Sequence, residues 1–150
     1  MTFNELHDGL ESGCNCLEQE GVSDVNTADV FARVLEGETL SIDDFRSYHE
    51  LSKAPRYQQK TCRSKCQRRG VSINKIGVNE AEIKQRWVQV RLISPEGFTE
   101  KICKFRIKAD SGKVWDTSNG EPHAHHELLK ADGFSLMSIE VVKVVSAADF

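Results

Sequence analysis

Hydrophobic positions follow one rhythm in the first third of the chain and another after residue 86. Phe3, Leu6, Leu10, Cys14 and Leu17 recur at helical spacing behind a Thr2/Glu5 capping-box pattern. Gly9 and Gly13 interrupt that run, each at a cost of about 1 kcal/mol within a helix. After a linker at residues 21–26, Thr27 is placed to cap a second helix carrying Val30, Phe31, Val34 and Leu35, stopped at Gly37. Ser41 with Asp44 offers a third cap, followed by Ile42, Phe45, Tyr48 and His49, and Pro55 bounds that helix. A fourth helix is expected over Arg56–Arg69, closed by Gly70, with Tyr57, Cys62 and Cys66 as its thin apolar stripe. Val71–Val78 reads as a loop or single turn, and Asn79 with Glu82 as a cap before Ala81–Arg86.

From Trp87 onward the period is two. Trp87–Ile93 and Phe98–Lys108 are expected to form a hairpin around Ser94-Pro95-Glu96-Gly97, with Cys103, Phe105 and Ile107 inside and Lys104, Arg106 and Lys108 outside. Lys113–Asp116 reads as a short third strand. His123–Ala131 reads as a short helix stopped at Gly133, and the β-branched run Leu136–Val145 as a well-buried last strand. The pattern therefore predicts an α+β fold: an N-terminal helical segment followed by a small antiparallel β-sheet with one short helix before the last strand. It divides into an acidic helical segment over 1–55, a basic helix-turn-helix-like connector over 56–86, and the sheet over 87–150, packed as one unit.

Composition adds bounds. At 150 residues, 39% hydrophobic and 29% charged, the chain is long enough for a core that needs neither metal nor disulfides. No apolar run approaches the ~18 residues of a membrane span, and the first residues lack an apolar signal core. A cytoplasmic protein that meets no membrane is the expectation. The five cysteines are an odd number, so the expectation is reduced thiols.

Charge changes the picture most. The overall −3 divides into −10 over residues 1–52, +9 over 53–91 and −2 over 92–150. Arg56, Lys60 and Arg63 fall on one face of the expected fourth helix. Lys65, Arg68 and Arg69 widen that field, and Lys75, Arg91, Lys104 and Arg106 extend it toward the hairpin. Such a surface replaces counterions on a phosphate backbone or meets an acidic protein surface. Aromatic neighbours are few, Tyr57 and Trp87, which points to phosphate or carboxylate contacts over base stacking.

The remaining motifs are partial. Cys66-Gln67-Arg68-Arg69-Gly70-Val71-Ser72 with Ile73 and Ile76 resembles the turn of a helix-turn-helix, with Arg69 where that motif packs an apolar residue inward. Cys62 and Cys66 lie one helical turn apart and Cys14-Asn15-Cys16 offers two more thiolates, but the one-residue gap is short for zinc. In His123-Ala124-His125-His126-Glu127 the alternating imidazoles resemble the metal-holding strand of single-strand nicking enzymes, yet Tyr48 and Tyr57 lie far upstream. Leu128–Phe134 resembles the end of the signature helix of LAGLIDADG homing endonucleases, and no residue is carried over from it. There is no glycine-rich phosphate loop and no serine elbow.

No catalytic residue, metal ligand or cofactor is assigned on this basis. The first expectation is a small non-enzymatic protein contacting nucleic acid through the basic helix and hairpin face. The alternative is a protein-interaction module, such as an inhibitor, adaptor or immunity-type protein of a phage or mobile element. A metal-dependent enzyme using His123, His125 or His126 ranks third. Spatial layout discriminates the first two: an exposed cationic face favours nucleic acid, and neutralisation by acids from residues 1–52 favours a protein partner.

Overall fold

A computed structural model describes residues 3–53, 59–77 and 79–150. Its centre is a seven-stranded antiparallel sheet. The strands are β1 (Val22–Asp24), β2 (Phe31–Val34), β3 (Val71–Lys75), β4 (Lys101–Ile107), β5 (Gly112–Asp116), β6 (His125–Lys130) and β7 (Ile139–Ser146). Their order across the sheet is β1-β5-β6-β3-β2-β4-β7, every neighbour antiparallel. The described residues hold two α-helices, α1 (Cys62–Arg69) and α2 (Glu80–Arg91).

This overturns the expected fold class. Among the described residues there is no N-terminal helical segment, and the sheet is large. Residues 3–53 contribute two strands and the short 3-10 turns Asn4–Leu6, Cys16–Glu18 and Ile42–Phe45. The glycines that weakened the first helix decide its fate: Gly9 and Gly13 take φ of +68° and +85°, which breaks the helix at both. The apolar stripe still turns inward: Phe3 and Leu6 are buried, and Leu10, Cys14 and Leu17 are partly buried beside them. The expected second helix is instead the central strand β2, Phe31–Val34, covered on both faces, and such a strand shows no alternation that separates it from a helix. The same holds for the Glu-Leu-Leu-Lys run of β6, expected as a helix; the LAGLIDADG-like helix is therefore absent. Residues 71–75 form a strand, so the helix-turn-helix reading falls as well. Conversely, α2 runs through Trp87–Arg91, where a strand was expected. Asn79 caps it by accepting the Glu82 N–H, and Ile83, Trp87 and Val88 make its buried stripe. The expected strand at 113–116 is present as β5. The last strand is not well buried: its interior residues from Glu140 to Val144 are exposed.

Cross-strand partners share a face, so the register sorts the core. One face carries Phe31, Val71, Ile73, Phe105, Ile107, Val114 and Leu128, closed by Leu35, Phe45 and Phe134 from connecting segments. The other face carries both helices. α2 covers Ala32, Val34 and Ile102. α1 and the N-terminal turns cover Trp115 and Leu129. Between these two apolar patches runs a polar strip of the same face, centred on Ser72, Asn74, His125 and Glu127.

Candidate functional site

The cations expected to meet a partner are largely engaged by the chain itself. Lys65 lies 3.7 Å from Glu11 and Lys75 3.4 Å from Asp29. Arg91 is 3.0 Å from Glu100, Lys104 4.0 Å from Glu80, and Arg106 3.3 Å from Glu140. Arg68 donates to the Lys53 carbonyl at 3.0 Å and contacts Nδ1 of His49 at 3.2 Å. Arg69, placed by sequence on the open face, is buried and donates to the carbonyls of Glu5, Asp8 and Lys65. Arg63 lies over the Trp115 ring, 5.0 Å from its centroid. Lys60 is exposed, and Arg56 lies outside the described residues. The structure thus spreads these side chains around the molecule: Arg63, Lys65, Arg68 and Arg69 share α1, whereas Arg106 reaches toward the far edge of the sheet at β7.

Sequence reasoning missed the polar strip. Ser72 of β3, His125 of β6 and Thr117 just after β5 stand side by side on adjacent strands. The Thr117 hydroxyl reaches the His125 carbonyl at 3.3 Å and Nδ1 at 2.6 Å; Ser72 Oγ lies 2.7 Å from Nε2. One proton arrangement satisfies all three contacts: Thr117 donates to the carbonyl, Nδ1–H donates to Thr117, and Ser72 O–H donates to Nε2. Burial, with His123 and His126 nearby, pushes the His125 pKa down to about 4. Burial pushes the Glu127 pKa up to about 8, against the lowering effect of Arg33. Both groups are therefore neutral at pH 7, and their 3.6 Å contact is dipolar and not an ion pair. Glu127 Oε2 has no hydrogen-bond partner among the described residues. The only advance signal for this strip was the histidine cluster, and its alternation was read as a helix start.

Two clefts flank the sheet. One of about 420 Å³ is lined by Glu5, Asp8, Glu50, Lys130 and Phe134, where Lys130 pairs with Glu50. The other, of about 320 Å³, is lined by Asp24, Asp29, Lys75, Asp116 and His126. His126 therefore opens on the face opposite His125, which splits the histidine cluster between two surfaces. Among the described residues, three or more metal-type ligand atoms converge in one place, at Cys14, Cys62 and Cys66.

These cysteines correct the expectation of free thiols. Cys14 is bonded to Cys62 and Cys16 to Cys66. Cys103 is free and buried, and burial pushes its thiol up to about 11, which keeps it protonated and unreactive.

A further surface is apolar. β7 is an edge strand on which Val141, Val142 and Val144 are 43%, 44% and 40% exposed. A register shift beside Lys104/Phe105 sets Lys143 opposite Lys104 and Glu140 opposite Arg106. No helix among the described residues is long and apolar enough to cross a membrane. Compared with known proteins, the chain matches no family model, no curated protein and no solved structure.

Proposed function

We propose that this protein is a protein-interaction module that accepts an extended segment of a partner protein along β7. The observation that carries the reading is the uncovered edge: three valines project from a strand whose outward backbone N–H and C=O groups meet no neighbouring strand among the described residues. The partner's chemistry follows from the charges there. Lys143 faces Lys104 across the ladder, and like charges directly opposite destabilise a sheet. An apolar, β-branched segment with a carboxylate beside Lys143 would relieve that repulsion and cover the valines. The ion pairs of Lys65 with Glu11 and of Lys75 with Asp29, and the hold of the Glu5 and Asp8 carbonyls on Arg69, support a protein partner over a phosphate backbone. The reading sets the protein in the cytoplasm, without catalysis of its own.

The test is co-purification from the native host with the wild-type chain and with Val144→Lys. Lysine is tolerated on an exposed edge, so the fold should survive, which circular dichroism checks. A stoichiometric partner held by wild type and lost by the variant supports the reading, provided β7 amides gain hydrogen-exchange protection in the complex. Identical captures from both proteins, or no stoichiometric partner, would sink it. Sedimentation of the isolated chain identifies the case in which the strand-donor is a second copy.

Nucleic-acid contact is the second reading. It is favoured by Lys60, Lys84 and Arg86, which have no carboxylate partner within salt-bridge distance among the described residues. It predicts binding to labelled duplex or single strands that weakens steeply with salt, with a shallower slope in Lys84→Glu/Arg86→Glu. Absence of binding at low salt removes it.

A further inference from the structure

We propose that Cys14, Cys16, Cys62 and Cys66 form a redox-gated zinc site: two disulfides when oxidised, one tetrathiolate zinc centre when reduced. The four residues come from two places. Cys14 and Cys16 flank Asn15 in the N-terminal turns, and Cys62 and Cys66 stand one turn apart on α1. The two bridges lie side by side. Sγ of Cys14 and Sγ of Cys66, which are not bonded to each other, are 3.9 Å apart. Thiolates bound about 2.3 Å from a tetrahedral zinc sit about 3.8 Å from one another, so this edge of the tetrahedron already exists. Sγ of Cys14, Cys62 and Cys66 all lie within 4.8 Å of one another, and Cys16, bonded to Cys66, supplies the fourth ligand. The short Cys-x-Cys gap that argued against zinc in the sequence is resolved by geometry: each of its two cysteines is matched to a different cysteine of α1.

The surroundings suit thiolates. Cys62 is the first residue of α1, where the unpaired N–H groups favour negative charge. The Gln19 side-chain amide lies 3.3 Å from Sγ of Cys62, a donor that steadies a bound thiolate. A zinc tetrathiolate is dianionic, and α1 carries Arg63, Lys65, Arg68 and Arg69. α1 has little else to hold it, since Cys66 and Arg69 are its buried residues. Bridged or zinc-bound, the sulfurs tie α1 to the N-terminal turns.

The chemistry balances. Each bridge takes two electrons and two protons from a cellular dithiol, which closes into its own disulfide, and two such steps give four thiols. Zinc then binds with loss of four protons to solvent. A two-electron oxidant such as peroxide reverses the sequence, one equivalent per bridge, and ejects the ion.

The test uses the full chain. Protein reduced with a phosphine, loaded with Zn²⁺ and desalted should carry about one zinc per chain. Disulfide-intact protein should carry none, and peroxide should release the metal from the loaded form. Co²⁺ in place of zinc should give the thiolate charge-transfer absorption and visible bands of a tetrahedral sulfur site. Cys62→Ser/Cys66→Ser should lose both signals, while Cys103→Ser keeps them. Because the double variant can lose the fold around α1, His123→Asn/His125→Asn serves as the opposite control and should bind zinc normally. The proposal is overturned if reduced wild type takes up no zinc while retaining its circular dichroism. It is equally overturned if uptake survives the cysteine changes and disappears with the histidine changes.

Discussion

Glu127 and His125 sit 3.6 Å apart and are each held uncharged by burial, which gives the molecule opposing pH dependences. Glu127 is raised from 4.5 to about 8 in the folded state. Between those values the unfolded chain releases a proton that the folded chain keeps, so stability falls as pH rises through the window. His125 is lowered from 6.5 to about 4. Its contribution is complete above the unfolded value and is lost as pH falls toward the folded one. The two trends offset each other between 4.5 and 6.5, which leaves Glu127 alone to weaken the protein from 6.5 to 8. Glu127→Gln should therefore raise stability at pH 8 by on the order of 1 kcal/mol or more and flatten that decline in thermal melts taken across pH. An unchanged profile would show that Glu127 ionises at its ordinary value. The packing around this carboxyl is close: a Cβ on Gly70 would meet Glu127 Cβ at 2.7 Å, so the end of α1 and the polar strip fit together through the absence of a side chain. Beyond the histidine cluster itself, none of this was legible from sequence. Ser72 lies 53 residues before His125 and 55 before Glu127, on strands whose pairing no local pattern encodes.

At the level of elements, α2 kept its cap, with an outer face open to solvent, and β5 was placed within one residue of its start although both its faces are covered. The pattern failed at β2 and β6, also covered on both sides, because continuous burial erases the alternation that marks a strand. α1 is a different case. Its expected cations are present, but its thin apolar stripe means that packing contributes little and the cysteine links carry its attachment. The first to form closes a loop of about fifty residues, for which chain entropy alone is worth about 4 kcal/mol, and the second then closes only a short ring through residues 14–16 and 62–66. Hydrogen exchange makes this visible. Reduction without added metal should strip protection from the α1 amides first and leave α2 protected, since Ile83, Trp87 and Val88 anchor α2 in the core. Simultaneous loss in both helices would mean that α1 is part of the same cooperative unit.

For the whole molecule, the charge blocks seen in the sequence are real but fold against one another. The acidic first segment meets α1 through Glu11, Glu5 and Asp8, and meets β3 through Asp29 and Lys75. A linear charge profile has no means of reporting that meeting. The sheet ends at an apolar strand on one side and, on the other, at β1, whose Asp24 is paired with Lys113. The two disulfides also decide how the chain behaves when it is cut. Both cross from the segment before residue 17 to the segment after residue 61. A protease that cleaves anywhere between those segments produces two fragments still joined by two covalent threads. On a denaturing gel the nicked, oxidised protein should run as a single species near its full 16.9 kDa and separate into two bands when a thiol reductant is added.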